Sequence, residues 1–162
     1  MKLDKRRRIE GRTNYKKRLA LLRGNSPRFI VRKTNRYIIL QIAESKDAQD
    51  KIIFSANTRE LVNFGWPKEK EGSLKSLPAA YLGGLLIGKK AKNLKGRIVL
   101  DIGLVPNTKG SKIYAAAKGL KDAGANINFD EKTAPSKERI EGKNTKISGE
   151  IFNKVMGAVK NG

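Results

Sequence analysis

Fourteen lysines and arginines stand among the first 36 residues against two acids, Asp4 and Glu10, so this stretch carries +12 of the chain's formal +21. The chemistry of such residues is phosphate neutralisation. Each cation that meets a phosphate releases a counterion, and affinity then falls with salt at a log–log slope of about −0.7 to −0.9 per contact. Charge this dense also repels itself, which a polyanionic partner relieves. The densest part is KRRR (5–8), comprising Lys5, Arg6, Arg7 and Arg8, followed by Arg12, Thr13, Asn14, Tyr15, Lys16, Lys17 and Arg18. A second cluster is RFIVRKTNRY, in which Arg28, Arg32, Lys33 and Arg36 flank a turn that also offers Thr34, Asn35 and Tyr37. Guanidinium forks grip phosphate at two points. Asn and Thr can read base edges or a 2′-hydroxyl, and an exposed Tyr can stack on an unpaired base. The plainer alternatives are a solvated tail or localisation signal for the arm, and an ordinary charged hairpin for the turn.

Other residue patterns point to enzymes and fall short. Asp101, Asp122 and Asp130 are the carboxylates that a two-metal nuclease would need on one sheet edge, but Asp101 better suits a structural hydrogen bond or ion pair. GGLLIGKK (83–90) nearly matches a phosphate loop. Lys90 replaces the hydroxyl residue that holds magnesium, and the upstream SLPAAYL is helical rather than a strand. The chain has neither Cys nor His, which removes disulfides, thiolate zinc sites and every Ser–His or Cys–His relay. We therefore expect no enzyme activity, cofactor, metal or small-molecule substrate. The alternatives are a metal-dependent RNA nuclease with a ribonuclease-H-like sheet, or a general nucleic-acid-compacting protein. No apolar run approaches the ~20 residues of a membrane span, and no apolar segment follows the N-terminal charges as in a signal peptide. A cytoplasmic protein with no membrane partner is expected.

The elements that position these residues follow from period and punctuation. Residues 1–12 read as an unstructured basic arm. Thr13 can open a helix over 14–23, stopped by Gly24–Asn25. RFIVRKT and YIILQIA (37–43) form a hairpin, ESKDAQD (44–50) a polar loop, and KIIFSAN (51–57) a third strand. Their core face is Phe29, Val31, Ile38, Leu40, Ile42, Ile53 and Ser55. TRELVNFGWP (58–67) is a short helix or turn. A long helix over 77–94 follows Ser76, with Lys89, Lys90, Lys92 and Lys95 at its end and Gly96 as its stop. Gly83–Gly84 inside it implies close approach to another backbone, most simply the sheet. RIVLDIGLV (97–105) is a strand, 111–124 a helix, NINF (126–129) a short strand, and 149–160 a final helix capped by Ser148. The order β-β-β-α-β-α predicts an α+β fold, a three-stranded antiparallel meander plus a further strand with helices packed on the sheet. Three segments result: a basic arm over 1–27, an α/β core over 28–129 and a C-terminal extension over 130–162.

Four stretches, RRRIEGRTNYKKRL, RFIVRKTNRYIILQIAE, LPAAYLGGLLIGKKA and KGSKIYAAAKGLKDAGANI, occur in this order. Together they resemble the universal large-subunit ribosomal protein family that binds 5S ribosomal RNA, the bacterial eighteenth and eukaryotic fifth proteins. The resemblance spans about residues 5–129, and the arm and the TNR hairpin are similar to the archaeal and eukaryotic branch, in an archaeal form. It implies a structural role in the large subunit, with 5S RNA attached to the large-subunit RNA at the central protuberance beside neighbouring ribosomal proteins. The RNA-binding candidates it implies are Arg6, Arg7, Arg8, Arg12, Thr13, Asn14, Tyr15, Lys16 and Arg18 in the arm. In the hairpin they are Arg28, Arg32, Lys33, Thr34, Asn35, Arg36 and Tyr37, and further along Lys109, Lys112 and Lys118. Where related members carry Pro–His, this chain reads NINFDE.

Overall fold

Alternating apolar residues take one face of a strand out of water, and this chain uses the pattern in consecutive segments. The computed structural model describes residues 4–46, 49–94, 96–143 and 149–161. It opens with two helices, α1 (Arg6–Ile9) and α2 (Tyr15–Arg23). Residues 4–12 are thus not the featureless coil their composition suggests. Asn14 caps α2 by accepting the Lys17 N–H at 3.0 Å, and Asn25 takes the left-handed turn beyond it at φ +43°. Strands β1 (Arg28–Lys33), β2 (Ile38–Lys46) and β3 (Gln49–Asn57) form the expected antiparallel meander. Phe29, Val31, Ile38, Leu40 and Ile42 are buried as predicted.

The third strand is phased differently. Ala56 lies opposite Leu40 and Phe54 opposite Ile42, and both pack in the core, while Ser55 is exposed and Ile53 half-buried. The register then jumps to Ala43 opposite Ile52, a bulge that leaves Ile53 over. The run Ile52–Ile53–Phe54 has no alternation, so its period could not set the phase. Of the predicted loop at 44–50, residues 44–46 and 49–50 are strand instead, with Glu44 across from Lys51 and Ser45 across from Asp50. Polar side chains on both faces suit a hydrated two-stranded ribbon, and Asp47 and Ala48 lie outside the described residues.

Strand β4 (Ile98–Asp101) adds parallel to β1, and β5 (Ile127–Asn128) adds parallel to β4, giving the order β3-β2-β1-β4-β5. β4 stops well before residue 105. The Asp101 carboxylate accepts the Gly103 N–H at 2.8 Å, and Gly103 turns the chain at φ +60°. β3 forms one outer edge of the sheet.

Helices α3 (Leu77–Lys90), α4 (Lys112–Asp122), α5 (Lys137–Ile140) and α6 (Gly149–Asn161) complete the α+β fold. α3 ends four residues before the predicted 94, and Lys95 and the Ser148 cap lie outside the described residues. Every residue from Pro78 to Gly88 is buried, so α3 has no solvent face. β2 and β3 lie against it, as do α4 and α6. The apolar face of α6 supplies Phe152, Val155 and Val159, with the Phe152 ring 6.0 Å from that of Tyr81.

The glycine pair in α3 faces two neighbours. A Cβ on Gly83 would stand 2.6 Å from Leu40 Cδ1, which is the predicted approach to the sheet. A Cβ on Gly84 would stand 2.1 Å from the Ala116 carbonyl oxygen, so that approach is to α4. The contact is reciprocal, because a Cβ on Gly119 of α4 would stand 2.1 Å from the Tyr81 carbonyl oxygen. Tyr81 also donates its hydroxyl to Asp122 at 2.8 Å. Burial first, then Asp122, pushes the Tyr81 phenol far above its ordinary range, so this link persists across physiological pH. Gly84→Ala or Gly119→Ala is expected to destabilise the protein by at least 2–3 kcal/mol, the upper range for forced overpacking. Gly157→Ala, with nothing within 4 Å, is expected to stabilise α6 by up to about 1 kcal/mol. Urea denaturation of the three variants checks the contrast, and equal midpoints would refute it.

Candidate nucleic-acid interface

Helices α3 and α4 cover one face of the sheet. The other face carries Arg28, Ile30 and Arg32 from β1, with Val99 and Asp101 beside them on β4. Arg28 is an arginine in the interior, 4% exposed. A buried guanidinium needs counter-charge, and this one has it from two strands. It donates to Asp101 at 3.3 Å and to Asp50 at 2.7 Å, and it also donates to Ser45 at 2.9 Å. Ser45 in turn donates to Asp50 through a short hydrogen bond. Burial pushes the Asp50 carboxyl up. Hydrogen bonds from Ser45 and Arg28 and the charges of Arg28 and Arg18 outweigh this and hold it below its ordinary 3.8. Arg32, half-exposed, reaches the same Asp101 carboxylate at 3.4 Å and its carbonyl at 3.2 Å.

The arm docks on this network. Arg18 of α2 approaches Asp50 at 3.5 Å, and Lys17 donates to the Gly103 carbonyl at 3.1 Å. Between arm and sheet lies a cavity of about 400 Å³, lined by Arg7, Arg12 and Lys17 on one side and by Arg28, Arg32 and Asp101 on the other. Further out, the described residues of the arm pair with one another. Arg6 and Arg12 reach Glu10 at 2.7 and 3.2 Å, Arg8 reaches Asp4 at 3.1 Å, and Lys5 lies 4.7 Å over the Tyr15 ring. Exposed pairs of this kind contribute about 0–1 kcal/mol, so a phosphate can displace either acid at little cost.

The sequence candidates thus separate by position. Arg6, Arg7, Arg8, Arg12, Lys16 and Arg18 are exposed cations on the arm, and Lys33, Asn35 and Arg36 are exposed at the hairpin. Four others already have structural work in this fold. Arg28 is buried in the ion network. Asn14 caps α2. Thr13 accepts from Arg7 at 2.9 Å. Thr34 builds the hairpin turn, accepting the Tyr37 N–H at 3.0 Å and donating to the Tyr37 carbonyl at 2.7 Å. The Tyr37 ring is half-buried under the Arg59 guanidinium, 4.2 Å from its centroid. Lys109 and Lys112 share a cavity with Lys33, while Lys118 sits further along α4 and acts on Glu131.

Sequence reasoning missed the anchors Asp50 and Ser45, because it placed both in a loop. It identified Asp101 as structural, and the ion pairs bear that out. The three carboxylates of the nuclease alternative do not converge. Asp101 holds arginines, Asp122 accepts from Tyr81, and Asp130 caps a 3₁₀ turn through the Lys132 N–H. Among the described residues, no group of three or more acids could hold a metal. No helix among them is long and apolar enough to cross a membrane.

A family model described as "Ribosomal large subunit proteins 60S L5, and 50S L18" matches residues 1–97, which include the arm, the meander and α3. The chain is 46% identical over 142 residues to the large ribosomal subunit protein uL18 of Korarchaeum cryptofilum, covering 87% of this chain and 71% of that one. The uL18 proteins of Methanoculleus marisnigri and Methanoregula boonei are 44% and 43% identical over 138 residues, covering 85% of this chain and 77% of theirs. All three relatives are archaeal, as the arm and hairpin segments lead one to expect.

Removing the Asp101 carboxylate leaves the buried guanidinium with Asp50 as its counter-charge. Asp101→Ala is expected to cost about 1.5–3 kcal/mol, the range for hydrogen bonds to charged groups, against at most about 1 kcal/mol for Glu10→Ala on the arm, and urea unfolding should show that ranking. Asp50 adds a pH signature. Its folded pKa is lowered, so its stabilisation is complete above the unfolded value of 3.8 and is lost as pH falls through the folded one. Asp50→Asn is expected to lower the thermal midpoint near neutral pH and to converge with the parent as pH falls through the lowered folded pKa of Asp50. Parallel curves at every pH would refute this.

Proposed function

Because the chain belongs to the family of large-subunit ribosomal proteins 60S L5 and 50S L18, we propose that it binds 5S ribosomal RNA and fastens it to the large-subunit RNA at the central protuberance. It acts there as a structural element of the cytoplasmic ribosome, without catalysis or cofactor, beside neighbouring ribosomal proteins. The observation that carries this reading is the cationic arm docked on the open sheet face beside Arg32 of the hairpin.

The mechanism divides the arm and hairpin candidates into two groups. Arg6, Arg8 and Arg12 exchange weak exposed acids for RNA phosphates, Arg7, Lys16 and Arg18 add phosphate contacts of their own, and each contact releases a counterion. Lys33, Asn35 and Arg36 present a preformed turn to the RNA surface, with Arg32 at its base. Arg28, Thr13, Asn14, Thr34 and Tyr37 hold these groups in place rather than touching RNA. The rigid half fixes register and orientation, as phosphate contacts do. Tyr15 becomes available for stacking once Lys5 leaves its ring for a phosphate.

Gel-shift titration of 5S RNA tests the reading. Arg36→Ala is expected to weaken binding about three- to tenfold at fixed salt. Deleting residues 1–12 is expected to flatten the log–log salt slope by about four, from the lost contacts of Lys5, Arg6, Arg7, Arg8 and Arg12 at ~0.7–0.9 each. Labelled RNA incubated with the protein and magnesium should stay intact. An unchanged slope removes the arm from the interface, cleavage revives the nuclease, and equal competition by duplex DNA favours the compacting protein.

A further inference from the structure

A second cationic concavity lies at the head of α4, at the end of β1. It has a volume of about 320 Å³, and its walls include Lys33, Lys109, Ser111, Lys112 and Arg139 beside apolar Leu77 and Val105. No carboxylate lines it, and none of these cations has an ion-pair partner among the described residues. The first N–H groups of an α-helix have no intrahelical acceptor, and they carry the positive end of the helix dipole. α4 has 11 residues, enough for that field.

An independent observation comes from Ser111. It occupies the N-cap position of α4, yet its side chain caps no backbone N–H. Its hydroxyl oxygen exposes less than 1 Å² and has no hydrogen-bond partner. Native proteins rarely leave a buried hydroxyl unpaired. A single χ1 rotation, which moves one heavy atom between staggered wells, gives it an acceptor once an anion enters. Gly110 shapes the entrance. It turns at φ +69° with its N–H bound to the Thr133 carbonyl at 2.8 Å, and a Cβ there would meet Arg139 Nη1 at 2.7 Å. Glycine therefore lets the guanidinium from α5 lie over the loop. The charge is also uncompensated, since burial, then Lys33 and Lys75, pushes the Lys112 ammonium below its ordinary pKa.

The geometry points to a phosphate site: one phosphodiester of the bound ribosomal RNA enters this cavity, held by the Ser111 hydroxyl, the first N–H groups of α4, Lys33, Lys112 and Arg139. The inference rests on the ribosomal reading above, because Lys33 joins the cavity to the hairpin surface. A tetrahedral anion with several acceptor oxygens uses donors that converge from three elements. A nucleotide backbone, more than a lone ion, fills the volume.

The test has two arms on the full chain. In the first, sodium phosphate is titrated into the free protein at constant ionic strength and followed by amide NMR. The Lys112 and Ile113 amides are expected to shift saturably, with about three- to tenfold weaker binding in Ser111→Ala and Arg139→Gln. In the second, 5S RNA binding is measured against salt. Ser111→Ala is expected to lose about three- to tenfold in affinity at an unchanged slope, because it removes no charge. Arg139→Gln, an exposed position that leaves the core intact, is expected to lose a comparable factor and to flatten the slope by about 0.7–0.9. A non-saturating drift with phosphate, or variants that bind RNA as the parent does, overturns the proposal. A saturable phosphate site in a protein indifferent to 5S RNA sinks the ribosomal reading and the RNA occupant together, yet leaves an anion site.

Discussion

A guanidinium buried between strands is the constraint around which this molecule's open face is arranged. Arg28 takes Asp50 from the far strand of the meander and Asp101 from the parallel strand on its other side. With its bond to Ser45 of β2, one side chain therefore ties four consecutive strands, β3, β2, β1 and β4, at the end where β4 turns away. Without those acids the charge could not remain in the interior. With them, the same two carboxylates have capacity left for Arg32 and Arg18. The arm is thereby held by the ions that stabilise the sheet beneath it.

The opposite face meets a different demand. α3 is surrounded, so its small residues set how near the neighbouring helix may come. The reciprocal contact of Gly84 and Gly119 brings two backbones together, and Tyr81 with Asp122 locks the angle at one end. Fixing α4 in this way also fixes where its first turn emerges, beside the end of β1. A tight helix crossing inside the molecule thus determines the spacing of cations on its surface.

Much of this was legible from the chain because local signals agreed. Strand period, the helix start after Ser76 and the cation clusters all pointed to elements that exist. The misreadings share a cause. The phase of β3 depends on a bulge opposite Ile42, and a run of three apolar residues carries no trace of it. Residues 44–46 and 49–50 have the composition of a loop and are strand because they pair with each other. The contacts that Arg28, Thr34 and Tyr37 make within the fold, by contrast, have no signal in the sequence. Their partners, Asp101, the Tyr37 backbone and Arg59, are known only once the chain has folded.

The outer strand of the sheet has a further consequence. β3 is nine residues long, has a partner on one side only, and leaves Ile52 half in water. An edge of that length is a template on which another copy could pair. Mutual repulsion between molecules of charge +21 is the deterrent. Colloidal behaviour is thereby coupled to counter-ions: whatever masks the cations without also shielding this margin turns a well-dispersed protein into one prone to self-association.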